Sequence, residues 1–195
     1  MMTDNPDTSP PEHTILWRRI DLPGHDACGL WHLQNGWRLR GAALFSLDGV
    51  PCRLEYHAQC DAAWRARAAG VSGWIGRQNL HLEIIAHADG HWDLNGAEQT
   101  AVAGCIDVDL NFTPATNLIA IRRLALSVGE EADAPAAWLR FPELQLERLE
   151  QRYHRITVEE YDYAAPDVGY AGILRVLPMG FVTCYPGLWE LETVR

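Results

Sequence analysis

The sequence predicts an all-β protein: a curved antiparallel sheet, drawn as a half-barrel or sandwich of many short strands, with little helix. Three observations predict it. Apolar and polar residues alternate at every second position through most of the chain, which is the period of a half-buried strand. Turn signals recur at short intervals, among them Asp48-Gly49, Asp89-Gly90 and Tyr185-Pro186-Gly187-Leu188. Helical periodicity is poor almost everywhere. At 195 residues the chain is little more than one domain at ~150 residues each. It is long enough to bury roughly 70% of its unfolded surface without disulfides or metal. Residues 1–13, rich in Pro, Asp, Thr and Ser, are expected to form a flexible tail. Residues 14–195 are then a single all-β domain.

Two hairpins can be read down to register. Asp48-Gly49 is a two-residue type I′ signal. Folding there pairs Leu47 with Val50, Phe45 with Cys52, Ala43 with Leu54 and Gly41 with Tyr56, and sets Trp37 opposite Cys60. One face then carries Trp37, Leu39, Ala43, Phe45, Cys52, Leu54, Tyr56 and Ala58, and the other Arg38, Arg40, Arg53, Glu55, His57 and Gln59. In the second hairpin, Leu80 to Asn95, a two-residue turn would put Trp92 on the polar face. A three-residue loop, Ala88-Asp89-Gly90 with Gly90 left-handed, returns it to the side of Leu82, Ile84, Ala86 and Leu94.

Cys105–Phe112 alternates as a strand, with Ile106, Val108, Leu110 and Phe112 on one side and Cys105, Asp107, Asp109 and Asn111 on the other. Thr113–Asn117 turns the chain. Leu118–Val128 reads as the next strand and carries Arg122 and Arg123. Residues 130–140 read as a short helix ended by Pro142. Residues 144–163 are extended, with Tyr153, Tyr161 and Tyr163 in phase. Gly169–Leu177 and Phe181–Tyr185 flank Pro178-Met179-Gly180. Gly-x-Trp-x-Leu occurs three times, at Gly29, Gly90 and Gly187. A glycine that closes a turn before an inward tryptophan explains it. The last two copies sit almost half a chain apart, the spacing an internal duplication would leave.

Charge excludes some partners. The formal net charge is −10, with 26 acidic side chains against 16 basic ones, so nucleic acid is not expected to bind. Every basic side chain is arginine, which removes Schiff-base and P-loop lysine chemistry. Five cysteines without a C-x-x-C pair read as reduced thiols. The first residues carry neither a basic start nor an apolar core, and no apolar run approaches ~18 residues. The chain is therefore expected to be cytoplasmic, without stable membrane insertion. The sequence assigns no oligomeric state.

Asp107 and Asp109 alternate on one strand and so point the same way, about 7 Å apart. Paired carboxylates suit acid/base work when their surroundings separate their pKa values; they equally read as a salt-bridge lattice with Arg122 and Arg123. His81, His87 and His91, with Glu83 and Asp93, resemble a metal-binding set, and equally a solvated hairpin face. His25 lies near Cys28, with nothing to activate the thiol. Ser72 misses the G-x-S-x-G elbow because Trp74 holds the last glycine position. The eight tryptophans fall mostly in strands. A curved sheet closing around tryptophan and tyrosine suits a long apolar or sugar-bearing ligand, with arginines at its mouth for an anionic headgroup.

The run Cys105-Ile106-Asp107-Val108-Asp109-Leu110-Asn111-Phe112-Thr113-Pro114-Ala115-Thr116-Asn117, continuing through Ile121-Arg122-Arg123-Leu124, resembles the signature of the bacterial putative glycolipid-binding family. Ala136–Pro142, Gln151-x-Tyr153-x-Arg155 and Tyr185-Pro186-Gly187-Leu188-Trp189 extend the likeness over nearly the whole chain. Ala120 stands where the family pattern has proline before Ile-Arg-Arg. The resemblance implies a lipoprotein-carrier-like fold, a curved antiparallel sheet around an apolar cavity. It carries no catalytic residue, cofactor or metal. The expected ligand-binding residues are Trp138, Arg140, Tyr153, Tyr185 and Trp189, with Asp107, Asp109, Arg122 and Arg123. The leading expectation is a non-enzymatic binder of a lipid or glycolipid. The alternative is an enzyme acting on a small polar substrate through Asp107, Asp109 and the neighbouring arginines. An interaction protein that pairs through a sheet edge is a third reading.

Overall fold

The Asp48-Gly49 turn forms as its residues dictate: both stand at positive φ, 51° and 80°, the conformation a type I′ turn needs. It joins β3 (Gly36–Leu47) to β4 (Val50–Asp61). The observed pairs are those the alternation specifies, from Leu47 with Val50 down to Trp37 with Cys60. Leu39, Ala43, Leu54 and Ala58 are all but fully buried. Register is pinned here because a slip of one residue would turn this apolar set to water.

A computed structural model describes residues 9–195. β1 (His13–Arg19) and β2 (Gly24–Leu33) precede β3; β5 (Ala66–Ile75), β6 (Gln78–Ala86), β7 (Trp92–Leu94) and β8 (Ala97–Glu98) follow β4. An inner segment then holds β9 (Asp107–Asp109) and α1 (Asn117–Leu124), is interrupted by β10 (Glu131–Asp133), which joins the edge of the outer sheet, and resumes with β11 (Ala136–Arg140) and β12 (Gln145–Leu149). The chain ends with β13 (Arg152–Arg155), β14 (Glu160–Ala165), β15 (Tyr170–Val176), β16 (Val182–Tyr185) and β17 (Trp189–Val194). Fourteen strands form one sheet in the order β10-β13-β14-β15-β16-β17-β1-β2-β3-β4-β5-β6-β7-β8, and its two edges do not pair with each other. The result is a large, curved, unclosed all-β sheet. A smaller sheet, β12-β11-β9, packs inside it, with β9 parallel to β11.

The concave face is filled by the chain itself. Leu110, Phe112, Ala115, Leu118 and Ile119 are fully buried. Phe112 meets Tyr56 of β4 edge-on, ring centroids 5.8 Å apart, and Phe141 at 5.9 Å. Each large apolar side chain buried this way contributes ~1.5–3 kcal/mol of transfer free energy. Indole N–H groups make long-range ties: Trp17 of β1 donates across the sheet to the Val182 carbonyl of β16 (2.6 Å), and Trp92 of β7 to the Cys105 carbonyl at the start of the inner segment (3.1 Å). The Asp89-Gly90 hairpin closes with the three-residue loop: His87 N–H donates to His91, Ala86 pairs with Trp92, and Gly90 has φ +91°.

Four expectations need correction. Leu118–Val128 is not a strand: residues Asn117–Leu124 form the helix α1, which Ala125 ends in the left-handed region at φ 47°. Asn117 through Ile121 are buried in succession, and a short apolar run cannot be told apart from a strand by period alone. Residues 130–140 are not helical; they hold β10 and β11. β11 is paired on both sides, and tertiary pairing overrides the helix propensity of its alanines. Within Cys105–Phe112 only Asp107–Asp109 is strand, and the expected sides are exchanged at its start: Ile106 is exposed and Asp107 buried. The Gly-x-Trp-x-Leu reading holds for Trp92 and Trp189 but not for Trp31. Gly29 sits inside β2, where its missing Cβ makes room for the half-exposed Trp31 ring.

The expected tail falls largely on residues outside the described ones. Of the remainder, the Ser9 carbonyl accepts the Trp31 indole N–H (2.9 Å), Glu12 N–H donates to Leu30, and His13 lies in β1. All five cysteines are free thiols.

Candidate ligand-binding pocket

Two hydrophobic clusters divide the interior. One lies between β1–β7 and the segment that carries Phe112; the other packs α1 against the tyrosines of β13 and β14. A cavity of about 240 Å3 opens at their seam.

One wall is aromatic. Period-two alternation turns Tyr161 and Tyr163 of β14 inward and Asp162 outward. Across β15, Gly172 pairs with Tyr163; a Cβ there would lie 2.9 Å from the Tyr170 hydroxyl. That hydroxyl donates to the Pro186 carbonyl (2.9 Å). The Tyr185-Pro186-Gly187-Leu188 turn is hydrogen-bonded from Leu188 back to Tyr185, with Gly187 at φ +77°. Tyr163, Tyr170 and Tyr185 touch one another, with centroids 5.0–5.9 Å apart. Trp138 of β11 and Trp189 of β17 complete the wall.

The other wall is polar and comes from the segment 109–117: Asp109, Asn111, Thr113 and Asn117. Asp109 accepts the Asn111 N–H and the Gln151 side-chain amide, each at 2.7 Å. Burial raises its pKa, and these two hydrogen bonds only partly oppose that. Thr113 fixes the segment to the sheet. Its hydroxyl donates to the fully buried Asp26, which also accepts from Tyr56 (2.9 Å). Burial lifts Asp26 to about 7 against the two hydroxyl hydrogen bonds.

The structure divides the residues nominated from the sequence. Asp109, Trp138, Tyr185 and Trp189 line the cavity. Tyr153 lies behind it, packed on Tyr163 (4.9 Å) and accepting from Asn117 Nδ2 (2.9 Å). Arg140 stands 6.0 Å from the Trp138 ring centre and pairs with Glu143 and Glu147. Asp107 points elsewhere and is held by Arg123 at 2.7 and 2.6 Å. Arg122 lies over Trp64 (5.3 Å), beside a separate cleft that Arg155 also lines. An arginine-lined mouth is therefore not what forms: among the described residues, no basic side chain lines this cavity. The two carboxylates of β9 do not face one substrate, as shared acid/base work would require. Tyr163, Tyr170, Thr113 and Asn117 were missed. The in-phase tyrosines were the signal for the first; Asn117 needed the helix that the strand reading concealed.

The run that carries the family signature is the one that fills the sheet and floors this cavity. The chain belongs to the putative glycolipid-binding family. The family's model matches residues 14–191. The fold is also similar to the crystal structure of a DUF1089 family protein from Pseudomonas aeruginosa, which is 28% identical, covers 85% of this chain and 91% of its own, and superposes with a TM-score of 0.75. No curated protein matches the chain.

Other candidates of this family member fall away from the cavity. His87 pairs with Asp93 (2.8 Å) and His91 with Asp89 (3.1 Å), and no group of three metal-ligating side chains assembles among the described residues. Burial pushes the Cys28 thiol well up, the opposite of activation. A larger concavity, about 520 Å3, is an open groove on the outer face of β3–β6, with Arg40, His57 and His81 beside Glu55 and Glu83. No described helix is long and apolar enough to cross a membrane.

Proposed function

We propose that this chain binds a lipid or glycolipid without transforming it, and that the aromatic pocket seats the ligand's polar end. One observation carries the reading: five aromatic rings converge on a floor of four polar side chains within a single cavity. Aromatic walls with a few placed polar groups are the general form of a small-molecule site. Family membership supports the ligand class.

Size refines the expectation of a broad apolar cavity under the sheet. The volume, about 240 Å3, falls below the ~300–1,000 Å3 of drug-sized sites. The concave face is occupied by Leu110, Phe112, Leu118 and Ile119. The pocket therefore suits a headgroup, and the chains of a lipid would lie outside it, towards the exposed Val168 at its rim.

Native mass spectrometry of the purified protein with a neutral glycolipid, a zwitterionic phospholipid and an anionic phospholipid tests this. A one-to-one adduct is expected with at least one lipid, weakened about tenfold by Tyr185→Ala, which removes one ring contact worth ~1 kcal/mol or more. A folded protein that forms no adduct with any of the three, or adducts indifferent to Tyr185→Ala, would overturn it.

A further inference from the structure

We propose that the headgroup taken by this pocket carries a positively charged ammonium group, seated against Trp138, Tyr170 and Tyr185 and countered by Asp109. The inference deepens the headgroup reading above and rests on it. A cation is attracted to the negative face of an aromatic ring, and a set of rings can take the place of the water around an ammonium group. Three of the five rings, Trp138, Tyr170 and Tyr185, are only partly buried and so keep surface for a ligand.

Charge points the same way. The cavity is lined by one carboxylate and no basic side chain. Both donors to Asp109, the Asn111 N–H and the Gln151 amide, are neutral. A carboxylate has about four lone-pair sites, so two hydrogen bonds leave acceptor capacity. Burying a carboxylate without a counter-charge is costly, and an ammonium group would supply that charge. An anionic headgroup would meet Asp109 with like charge. Outside the cavity lining, Arg140 stands 6.0 Å from the Trp138 ring centre, with its charge already met by Glu143 and Glu147. A choline or ethanolamine headgroup and an amino sugar share the required chemistry.

Calorimetric titration with choline, glucosamine, glucose and inorganic phosphate at one ionic strength tests the proposal and separates the sources. Choline binding with no glucosamine response marks a choline-type headgroup, and glucosamine binding without choline an amino sugar. Either supports the inference, provided that glucose binds at least about tenfold more weakly and phosphate does not bind. Asp109→Asn is expected to weaken the ammonium probe about tenfold or more. Should that variant not fold, Trp138→Leu tests the same contact through the ring. Glucose binding as tightly as glucosamine, or choline affinity unchanged in Asp109→Asn, overturns the inference. Binding of a neutral glycolipid with no response to either ammonium probe also overturns it, and leaves the headgroup reading standing. Failure of every probe and every lipid removes both.

Discussion

Asp107 and Asp109 stand at the two ends of one three-residue strand, and their surroundings treat the same carboxylate in opposite ways. Asp107 is buried and meets a two-pronged guanidinium from Arg123. Asp109 borders a cavity and receives only a backbone N–H and an amide. Sequence spacing made the two equivalent, and neighbours distinguish them. The first is part of the scaffold, since α1 is clamped to β9 through the Asp107–Arg123 pair. The second has no basic partner and lines the cavity. Asp26 is a third case, buried with hydroxyls as its hydrogen-bond partners.

Breaking the first pair should have the largest effect. Arg123→Met leaves Asp107 buried without its partner, a change that costs about 3–5 kcal/mol. At ~2–4 °C per kcal/mol for a chain of this size, thermal denaturation should show a melting temperature lower by roughly 10 °C. Replacing both residues with apolar ones should recover much of the loss; a single variant as stable as wild type would show that the pair is not a scaffold element.

Asp26 should have the next largest effect, and its sign is fixed. Its pKa rises from 3.8 to about 7 on folding, so between those values the folded chain holds the extra proton. Its contribution to stability is fully present below about pH 4 and is lost as pH rises towards 7, at ~1.4 kcal/mol per pKa unit. Denaturant titrations from pH 4 to 8 should show wild type losing stability relative to Asp26→Asn. Parallel curves would contradict the buried carboxylate.

The smallest effect on stability, below ~1 kcal/mol, is expected from Asp109→Asn, because the new amide oxygen can still accept the Asn111 N–H and the Gln151 amide can turn so that its oxygen accepts from the new NH2 group. Its cost should appear in binding instead. A large fall in melting temperature would place Asp109 with Asp107 in the scaffold. For the wild type, ammonium binding should weaken as pH falls into the raised range where Asp109 takes a proton, among Gln151, Tyr163 and Tyr185.

Much of the sheet was legible without coordinates. The Asp48-Gly49 register and the three-residue loop at Ala88–Gly90 follow from turn chemistry and side-chain parity alone, because both act between neighbours along a hairpin. The inner segment was not legible, and two of its elements were exchanged. Leu118–Leu124 reads as either strand or helix until its surroundings are known, and Ala136–Arg140 becomes a strand because β9 and β12 flank it. The site shared this limit. Trp138, Tyr185, Trp189 and Asp109, named from motifs, line the candidate cavity, whereas Tyr170 has no local mark and Asn117, though it ends the signature run, reads as part of a turn.

What the sequence determined by itself was therefore parity: which residues share a face, where hairpins turn, and that every cation is arginine. What tertiary structure decided was partnership. Arg123 reaches Asp107 and leaves Asp109 alone; Arg122 turns to Trp64; three tyrosines from β14, β15 and β16 meet around one cavity. Parity is set by a backbone repeat of two residues. Counter-charges and cavities are set by side chains that lie far apart in sequence, whose meeting depends on how the whole sheet curves around its inner segment.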